Sequence, residues 1–192
     1  TSLVLGTSSG IHAWHNEFYI RRLRVGKNEP IYKYLLAHNP ELVKDEYFRP
    51  HDTAVIEIPQ SAPKGSITRT ESAFDLLKRV KKVANEWVKP GHRKGSNTHN
   101  VSATISLKSD EWDKAGRWMW DNRECYNGLA VLPYDGGTYT QAPFEDITEQ
   151  EFNKRVKLLN DVDLSMIVET TDETDLSGEL ACAGGSCEIS SL

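Results

Sequence analysis

The hydrophobic positions along this chain follow two spacings, which predict strands interleaved with helices. In the clearest strand, Val101–Leu107, apolar residues alternate with Ser and Thr, a spacing of two that is typical of a strand with one buried face. Four further segments are rich in strand-forming residues or bounded by Gly or Pro. We therefore predict strands at Ser2–Leu5, Phe18–Val25, Thr53–Ile58 (closed by Pro59), Val101–Leu107 and Leu129–Leu132.

Spacings of three and four predict the helices. The longest one is expected to begin at Thr68 and Glu71, which have capping-box spacing, and to end before Pro90. Its predicted inward face contains Phe74, Leu77, Val80, Ala84 and Trp87. Shorter helices are predicted at Ile31–Leu36, at Trp112–Met119 and after a second capping box formed by Thr148 and Glu151.

This interleaving indicates the α/β class. The strands are too few and too widely separated for a self-sufficient closed barrel, so the chain is expected to form part of a larger fold. Its 192 residues, 38% hydrophobic and 27% charged, are compatible with one soluble domain core. No apolar run approaches the roughly 20 residues of a membrane span, and the chain does not start like a signal peptide.

Charge divides the chain into two regions. Residues 161–192 contain eight acidic side chains and no Lys or Arg, which leaves +3 on residues 1–160 because the whole chain carries −5. We therefore predict a domain over 1–160 and a flexible acidic tail over 161–192. Three cysteines are too few for a secreted disulfide scaffold, which favours a reducing, cytoplasmic location.

Four segments carry candidate chemistry. Gly6–Ile11, preceded by Thr1 and Ser2, offers hydroxyls and backbone N–H groups that could bind a phosphate, although a Gly/Ser loop is commonly an ordinary turn. Pro90–Asn100 is equally compatible with an anion site and a solvated basic turn, and Leu132–Pro143 with a simple hairpin. No metal site is predicted, because the histidines lack companion ligands at a recognisable spacing: His12, His15, His92 and His99.

The fourth segment is Cys182–Cys187, in which two cysteines flank Ala-Gly-Gly-Ser near the end of the acidic tail. Small residues between the cysteines allow ring closure without strain, and exposure opens the sulfurs to attack by another thiol. This pattern predicts a redox arm. An accidental pair in a disordered end is the alternative.

Together these segments resemble the monomeric branch of the class II, adenosylcobalamin-dependent ribonucleotide reductases. Residues 2–12 are similar to that family's substrate-phosphate loop and the stretch after it, and Phe18–Arg22 follows as expected. Residues 90–102 resemble the start of a late barrel strand, and 128–143 the final segment. Cys182 and Cys187 match the family's carboxy-terminal dithiol. The match covers nearly the whole chain, in order.

The resemblance implies that this chain is the carboxy-terminal part of a ten-stranded α/β barrel that reduces ribonucleoside triphosphates by radical chemistry for deoxyribonucleotide synthesis and DNA replication. It implies adenosylcobalamin as the cofactor of the complete enzyme, and a thioredoxin-type protein as the reductant of Cys182 and Cys187. Thr1, Ser2, Gly6, Thr7, Ser8 and Ser9 are the expected substrate-binding residues. No nucleic acid polymer and no membrane is expected as a partner.

The sequence departs from the complete family pattern in one respect. No Asn-x-Cys-x-Glu segment for the radical cysteine is present, so the chain is expected to be inactive without an amino-terminal part of the reductase. A break directly before Thr1 would fall inside the phosphate loop, which suggests a split gene, an intein or an artificial truncation. The alternatives are a diphosphate-using reductase, a non-catalytic partner module of a reductase chain, and a free-standing dithiol carrier.

Overall fold

The computed structural model describes residues 5–134 and 139–169, and the backbone of 182–183 and 186–187. The helices are α1 (Pro30–His38), α2 (Ala73–Val83), α3 (Trp112–Asp121) and α4 (Glu149–Leu159). The strands are β1 (Phe18–Gly26), β2 (Val43–Asp45), β3 (Thr53–Ser61), β4 (Thr104–Leu107), β5 (Ala130–Pro133), β6 (Phe144–Asp146), β7 (Cys182–Ala183) and β8 (Ser186–Cys187).

The chain divides into two compact units. The first unit contains the described residues within Thr1–Trp14 and Gly65–Gly136, and the second those within His15–Lys64 and Gly137–Leu192. The mixed α/β class is confirmed, whereas the ten-stranded barrel, the domain over 1–160 and the flexible tail stay predictions. None of the described helices is long and apolar enough to cross a membrane.

The second unit is built on a four-stranded antiparallel sheet in the order β2-β3-β1-β6. The long pair runs from Phe18 opposite Ser61 to Gly26 opposite Thr53. The predicted stop at Pro59 is wrong, because β3 continues through it to Ser61. On the side of β3 away from β1, strand β2 pairs only with Ala54 to Ile56. Among the described residues, β1 is therefore the single neighbour of β3 at Pro59, and the missing N–H of Pro59 interrupts no second ladder.

Two helices of the second unit have the predicted positions. Pro30 opens α1, and the predicted start of α4 at Thr148 is confirmed, because the Thr148 hydroxyl accepts from the Glu151 N–H at 3.2 Å, whereas the Glu151 carboxylate pairs with Arg155. A small core consists of Leu35, Leu42 and Ile56, against which Leu158, Leu159 and Val162 pack. Val162 lies within the predicted acidic tail, and the neighbouring Asp163 N–H donates to the Tyr34 hydroxyl at 2.8 Å.

The first unit contains a parallel strand pair, β4 and β5, with α2 and α3. The predicted alternation of burial is confirmed, since Val101, Ala103, Ile105 and Leu107 are all buried, but the strand itself begins only at Thr104. They share a core with Leu76, Leu77, Val80 and Ala115. The predicted strand at Ser2–Leu5 falls outside the described residues except at Leu5, whose backbone is helical.

The predicted start of α2 is wrong. Its N-cap is Ser72, whose hydroxyl accepts from the Asp75 N–H, and the buried Glu111 carboxylate accepts from the Ala73 N–H at 3.2 Å and the Lys108 N–H at 2.9 Å. Two acceptors therefore cover the helix start. Glu71, the expected capping partner of Thr68, is instead paired with Arg79.

The predicted inward position of Trp87 is also wrong. After Val83 the helix widens into a π-helical turn, Ala84–Val88, before a last turn at Lys89–Gly91. A π turn contains more residues than an α turn, so the spacing that buries Leu77 and Val80 is lost beyond Ala84. Trp87 is therefore 79% exposed.

We expect the isolated chain to fold poorly or to associate, because large apolar side chains lie at its surface: Trp87 (79% exposed), Trp120 (70%) and Phe48 (69%). Light scattering at rising protein concentration measures this. Trp87→Gln should associate less, whereas Lys82→Gln, also exposed on the same helical segment, should not. A monomer with one cooperative unfolding transition would contradict the prediction.

Candidate functional site

The candidate phosphate loop, Gly6–Ile11, lies at the start of the first unit. Gly6 and Gly10 have φ angles of +61° and +58°, in the left-handed region that favours glycine. A Cβ atom added at either position would meet none of the described atoms within 4 Å, so conformation, not space, favours glycine there. Thr7 and Ser9 are exposed and Ser8 is half-buried, whereas Thr1 and Ser2 lie outside the described residues.

His12 ties this loop to the strand pair. Its Nδ1 lies 2.9 Å from the Ser9 carbonyl oxygen, and its Nε2 accepts from the Thr104 N–H at 3.0 Å. The His12 N–H also donates to the Ser9 carbonyl at 3.1 Å, which closes a turn. The loop is thereby connected to the first residue of β4.

A second anchor follows directly. The Arg79 side chain donates from Nε to the Ile11 carbonyl at 3.1 Å, and from its two terminal nitrogens to Glu71 at 2.6 and 2.5 Å. The hydrogen bond with Glu71 raises the pKa of Arg79 against the opposing effect of burial. Ile11 itself packs against the core. Ile11, the last residue of the loop, is therefore held both by the core and by a charge-assisted hydrogen bond.

The two other candidate segments are Pro90–Asn100, which precedes β4, and Leu132–Pro143, which begins within β5. The basic residues of Pro90–Asn100 are exposed, and His92 contacts the Gly95 carbonyl at 2.9 Å. Asn100 accepts from the backbone N–H groups of Asn127 and Gly128, both at 3.2 Å. These bonds fasten the approach to β4 to the approach to β5, so Asn100 has a structural role here.

The predicted hairpin segment continues in the second unit, beyond residues 135–138, which are not described. Gln141 has a φ of +55°, a conformation that costs energy for a residue with a side chain. The side-chain oxygen of Gln141 accepts from the Tyr47 N–H at 2.9 Å, and its side-chain nitrogen donates to the Asp45 carbonyl at 2.7 Å. These bonds hold the strained residue against β2.

The second unit also contains a buried charge cluster centred on Glu57, which we call the Glu57 cluster. Glu57 is 1% exposed and stands directly opposite Arg22 in the sheet, with Nε of Arg22 at 2.8 Å. Lys44 and Arg155 reach its other oxygen at 2.8 and 3.1 Å. The outer acids of the cluster are Glu145, bound to Arg22, and Glu151, bound to Arg155.

Opposing effects act on the ionisation of Glu57. Burial alone would raise its pKa, but hydrogen bonds and charges from Lys44 and Arg22 hold the pKa below its ordinary value of 4.5. Hydrogen bonds with Glu145 and Glu57 likewise raise the pKa of Arg22 despite burial. The cluster is thus satisfied as a set of ions, which a buried charge requires.

The backbone of the dithiol segment forms a two-stranded antiparallel pair. Cys182 in β7 stands directly opposite Cys187 in β8, and Ala183 opposite Ser186. The remaining tail residues beyond 169 lie outside the description. The redox assignment of the two cysteines stays a prediction.

Sequence reasoning missed three anchoring residues. His12 binds Thr104, which lies 92 residues further along the chain, so no local spacing reveals this contact. Glu71 lies just before the helix that carries its partner, Arg79. Glu57 offered one signal, a charged residue directly after the apolar run Ala54–Ile56. A charge in such a run needs buried partners, but the sequence does not name them.

Comparison with solved structures shows the class of fold. The chain is similar to a B12-dependent (class II) ribonucleotide reductase with a TM-score of 0.68 and 20% sequence identity. The similarity covers 86% of this chain and 22% of the solved one. The chain thus has the fold of part of a class II reductase. No family model matches it.

Several curated proteins that are similar to this chain share one name. Proteins named adenosylcobalamin-dependent ribonucleoside-triphosphate reductase match from Lactobacillus acidophilus (25% identical over 187 residues), Lactobacillus leichmannii (25% over 192) and Euglena gracilis (27% over 179). The matches cover 96%, 96% and 90% of this chain, but 24%, 24% and 23% of the relatives. The resemblance inferred from the sequence is confirmed, and the chain spans about a quarter of the length of these relatives.

Proposed function

We propose that this chain is the carboxy-terminal part of an adenosylcobalamin-dependent ribonucleoside-triphosphate reductase. The observation that carries the proposal is a match over 96% of the chain to relatives that all bear this name, joined to a fold similar to part of a class II reductase. In the complete enzyme, the chain binds the substrate phosphates and passes electrons to the active site.

The candidate phosphate loop supports the first role. Left-handed glycines at both ends let the backbone approach a ligand closely, and exposed hydroxyls of Thr7 and Ser9 add donors. Several donors at short range are what a triphosphate requires. The anchors at His12 and Arg79 give these donors a fixed base.

The dithiol segment supports the second role. Only two residues separate Ala183 from Ser186, and Cys182 pairs directly with Cys187. The backbones of the two cysteines therefore lie side by side. Exchange with a second disulfide proceeds through a mixed disulfide, so the pair can receive electrons from a thioredoxin-type protein and pass them inward. Composition predicts a flexible connection, and because Val162 packs against the core and Asp163 binds Tyr34, it is counted from Glu169; to Cys182 its typical span is about 20 Å.

Adenosylcobalamin, when bound to the complete enzyme, supplies the radical that starts the reaction. Its cobalt is held by its own ring, so it needs no cluster of protein ligands. Among residues 5–134 and 139–169, no group of three or more His, Cys, Asp or Glu is placed to hold a metal ion. The two proposed roles of this chain concern phosphate and electrons.

The deciding experiment combines this chain with the remaining part of a reductase and measures ribonucleoside-triphosphate reduction with and without adenosylcobalamin. Cobalamin-dependent product formation that requires both parts is expected. Faster reduction of diphosphates would revise the substrate. Full activity of the remaining part alone would show that this chain is a non-catalytic partner.

A more local test concerns the phosphate loop. Ser2→Ala is expected to weaken substrate binding by about tenfold or more, because one hydrogen bond to a charged group contributes roughly 1.5–3 kcal/mol. The Michaelis constant of the combined enzyme measures this. Thr140→Ala, which removes a hydroxyl from the second unit, serves as the control. Unchanged affinity after substitution of both Thr1 and Ser2 would remove these residues from the site.

A further inference from the structure

The two ring nitrogens of His12 have partners of opposite kind. The Ser9 carbonyl oxygen, 2.9 Å from Nδ1, can only accept, and the Thr104 N–H, 3.0 Å from Nε2, can only donate. Nδ1 must therefore carry the hydrogen and Nε2 the lone pair. The contacts assign His12 as the neutral Nδ1–H tautomer.

This tautomer fixes one peptide group of the loop. The Ser9 carbonyl receives both the ring N–H and the backbone N–H of His12, at 2.9 and 3.1 Å. In a planar trans peptide the carbonyl and the following N–H point in opposite directions. The Gly10 N–H is therefore directed away from His12, at the exposed side of the loop.

The far end of the imidazole determines how firmly this peptide is held. Thr104 is the first residue of β4, and the following Ile105 is completely buried in the core. The Thr104 N–H bond thus connects the Ser9–Gly10 peptide to a strand that is anchored in the core of the first unit. The backbone N–H of His12 closes the turn at Ser9, and the imidazole adds the connection from Ser9 to Thr104.

We propose that His12 is a positioning residue for substrate phosphate: its Nδ1–H tautomer bridges Ser9 to Thr104 and thereby directs the Gly10 N–H toward the phosphates. This rests on the proposed function of the loop and deepens it. His12 itself does not touch the substrate. Its effect is on recognition of the phosphate part alone, which separates it from a residue that only supports folding.

The test uses the complete enzyme and two competitive inhibitors of CTP reduction, inorganic triphosphate and cytidine. In His12→Ala, the inhibition constant of inorganic triphosphate and the KM for CTP should rise about tenfold, the effect of misplacing one hydrogen bond to a charged group. The inhibition constant of cytidine should change less than twofold. His38→Ala, which removes a histidine contact to the Tyr34 carbonyl at 2.9 Å, is the matched control and should change neither constant.

Two further measurements keep the proposal testable if His12→Ala does not fold. His12→Gln retains an acceptor for the Thr104 N–H and most of the volume but loses the Ser9 contact, so it should show the same selective loss. Nitrogen NMR of the unsubstituted enzyme should show the Nδ1–H tautomer at His12, and the Nε2–H tautomer would overturn the proposal.

The outcomes separate the two levels of inference. Equal losses for inorganic triphosphate and cytidine, or no loss for either, would overturn the positioning role of His12 alone. If inorganic triphosphate does not compete in the unsubstituted enzyme, the proposed phosphate loop fails, and the role of His12 fails with it.

Discussion

Replacing both Cys182 and Cys187 by Ser is expected to limit the complete enzyme to a single round of reduction when a thioredoxin-type protein is the reductant. The cysteines that contact substrate in the proposed enzyme lie outside this chain, so the first round needs neither residue. Later rounds fail because a large protein cannot reach the internal disulfide, and exchange requires direct contact between sulfurs. Product formed per enzyme, with and without excess reductant, measures the effect.

A small dithiol reductant distinguishes loss of electron transfer through Cys182 and Cys187 from structural damage caused by the two substitutions. Such a reductant can enter the active site, so it should restore much of the rate in the double Ser variant. Cys125→Ser is the matched control, because Cys125 is a free, half-buried thiol in the first unit, and it should keep protein-driven turnover. Full protein-driven turnover in the double variant would end the redox-arm proposal. Equal loss with both reductants would indicate a structural pair.

Glu57→Ala is expected to destabilise the sheet of the second unit by about 3–5 kcal/mol, because it leaves buried cations without their shared anion. The Arg22 side chain is 7% exposed and the Arg155 side chain 23%, so water replaces the lost carboxylate poorly at these two cations, whereas Lys44 is 51% exposed. Hydrogen exchange of the β1 and β3 amides in the complete protein measures the local free energy of opening. Asp52→Ala, which removes an exposed pair with Arg49 in the same unit, should cost less than about 1 kcal/mol. A comparable small loss for Glu57→Ala would contradict the central role of this carboxylate.

The Glu57 cluster also predicts a pH dependence. The pKa of Glu57 is lower in the folded protein than its ordinary value of 4.5, so its contribution is complete above pH 4.5 and is lost as the pH falls through the folded value. Glu57→Gln removes this contribution. The difference in opening free energy between the unsubstituted protein and Glu57→Gln should therefore shrink below pH 4.5. A difference that stays constant or grows on acidification would contradict this assignment.

Local patterns of the sequence were sufficient for several elements. Thr148 and Glu151 predict the start of α4 because a capping box involves residues three apart, and Val101–Leu107 predicts its buried face because strand side chains alternate. Family resemblance, carried by ordered short motifs, identified the class of protein that the comparisons then supported. These features depend on neighbours in the chain.

Tertiary contacts decided the rest. Ser72 replaced Thr68 as the start of α2 because the distant Glu111 carboxylate also binds there, and a π turn placed Trp87 outside the core. The three-residue strands β2 and β6 form by pairing with the long strands β3 and β1. A pattern of only three residues is too short to predict such pairing.

The candidate site shows the same division between local and distant causes. Gly6–Ile11 is recognisable by composition, but its base is formed by His12 with Thr104, and the partners of Glu57 come from three other elements. The sequence alone therefore predicted which residues are candidates for binding phosphate or exchanging electrons. Tertiary structure decided which residues hold the loop in place, because hydrogen bonds and ion pairs depend on distances that only folding creates.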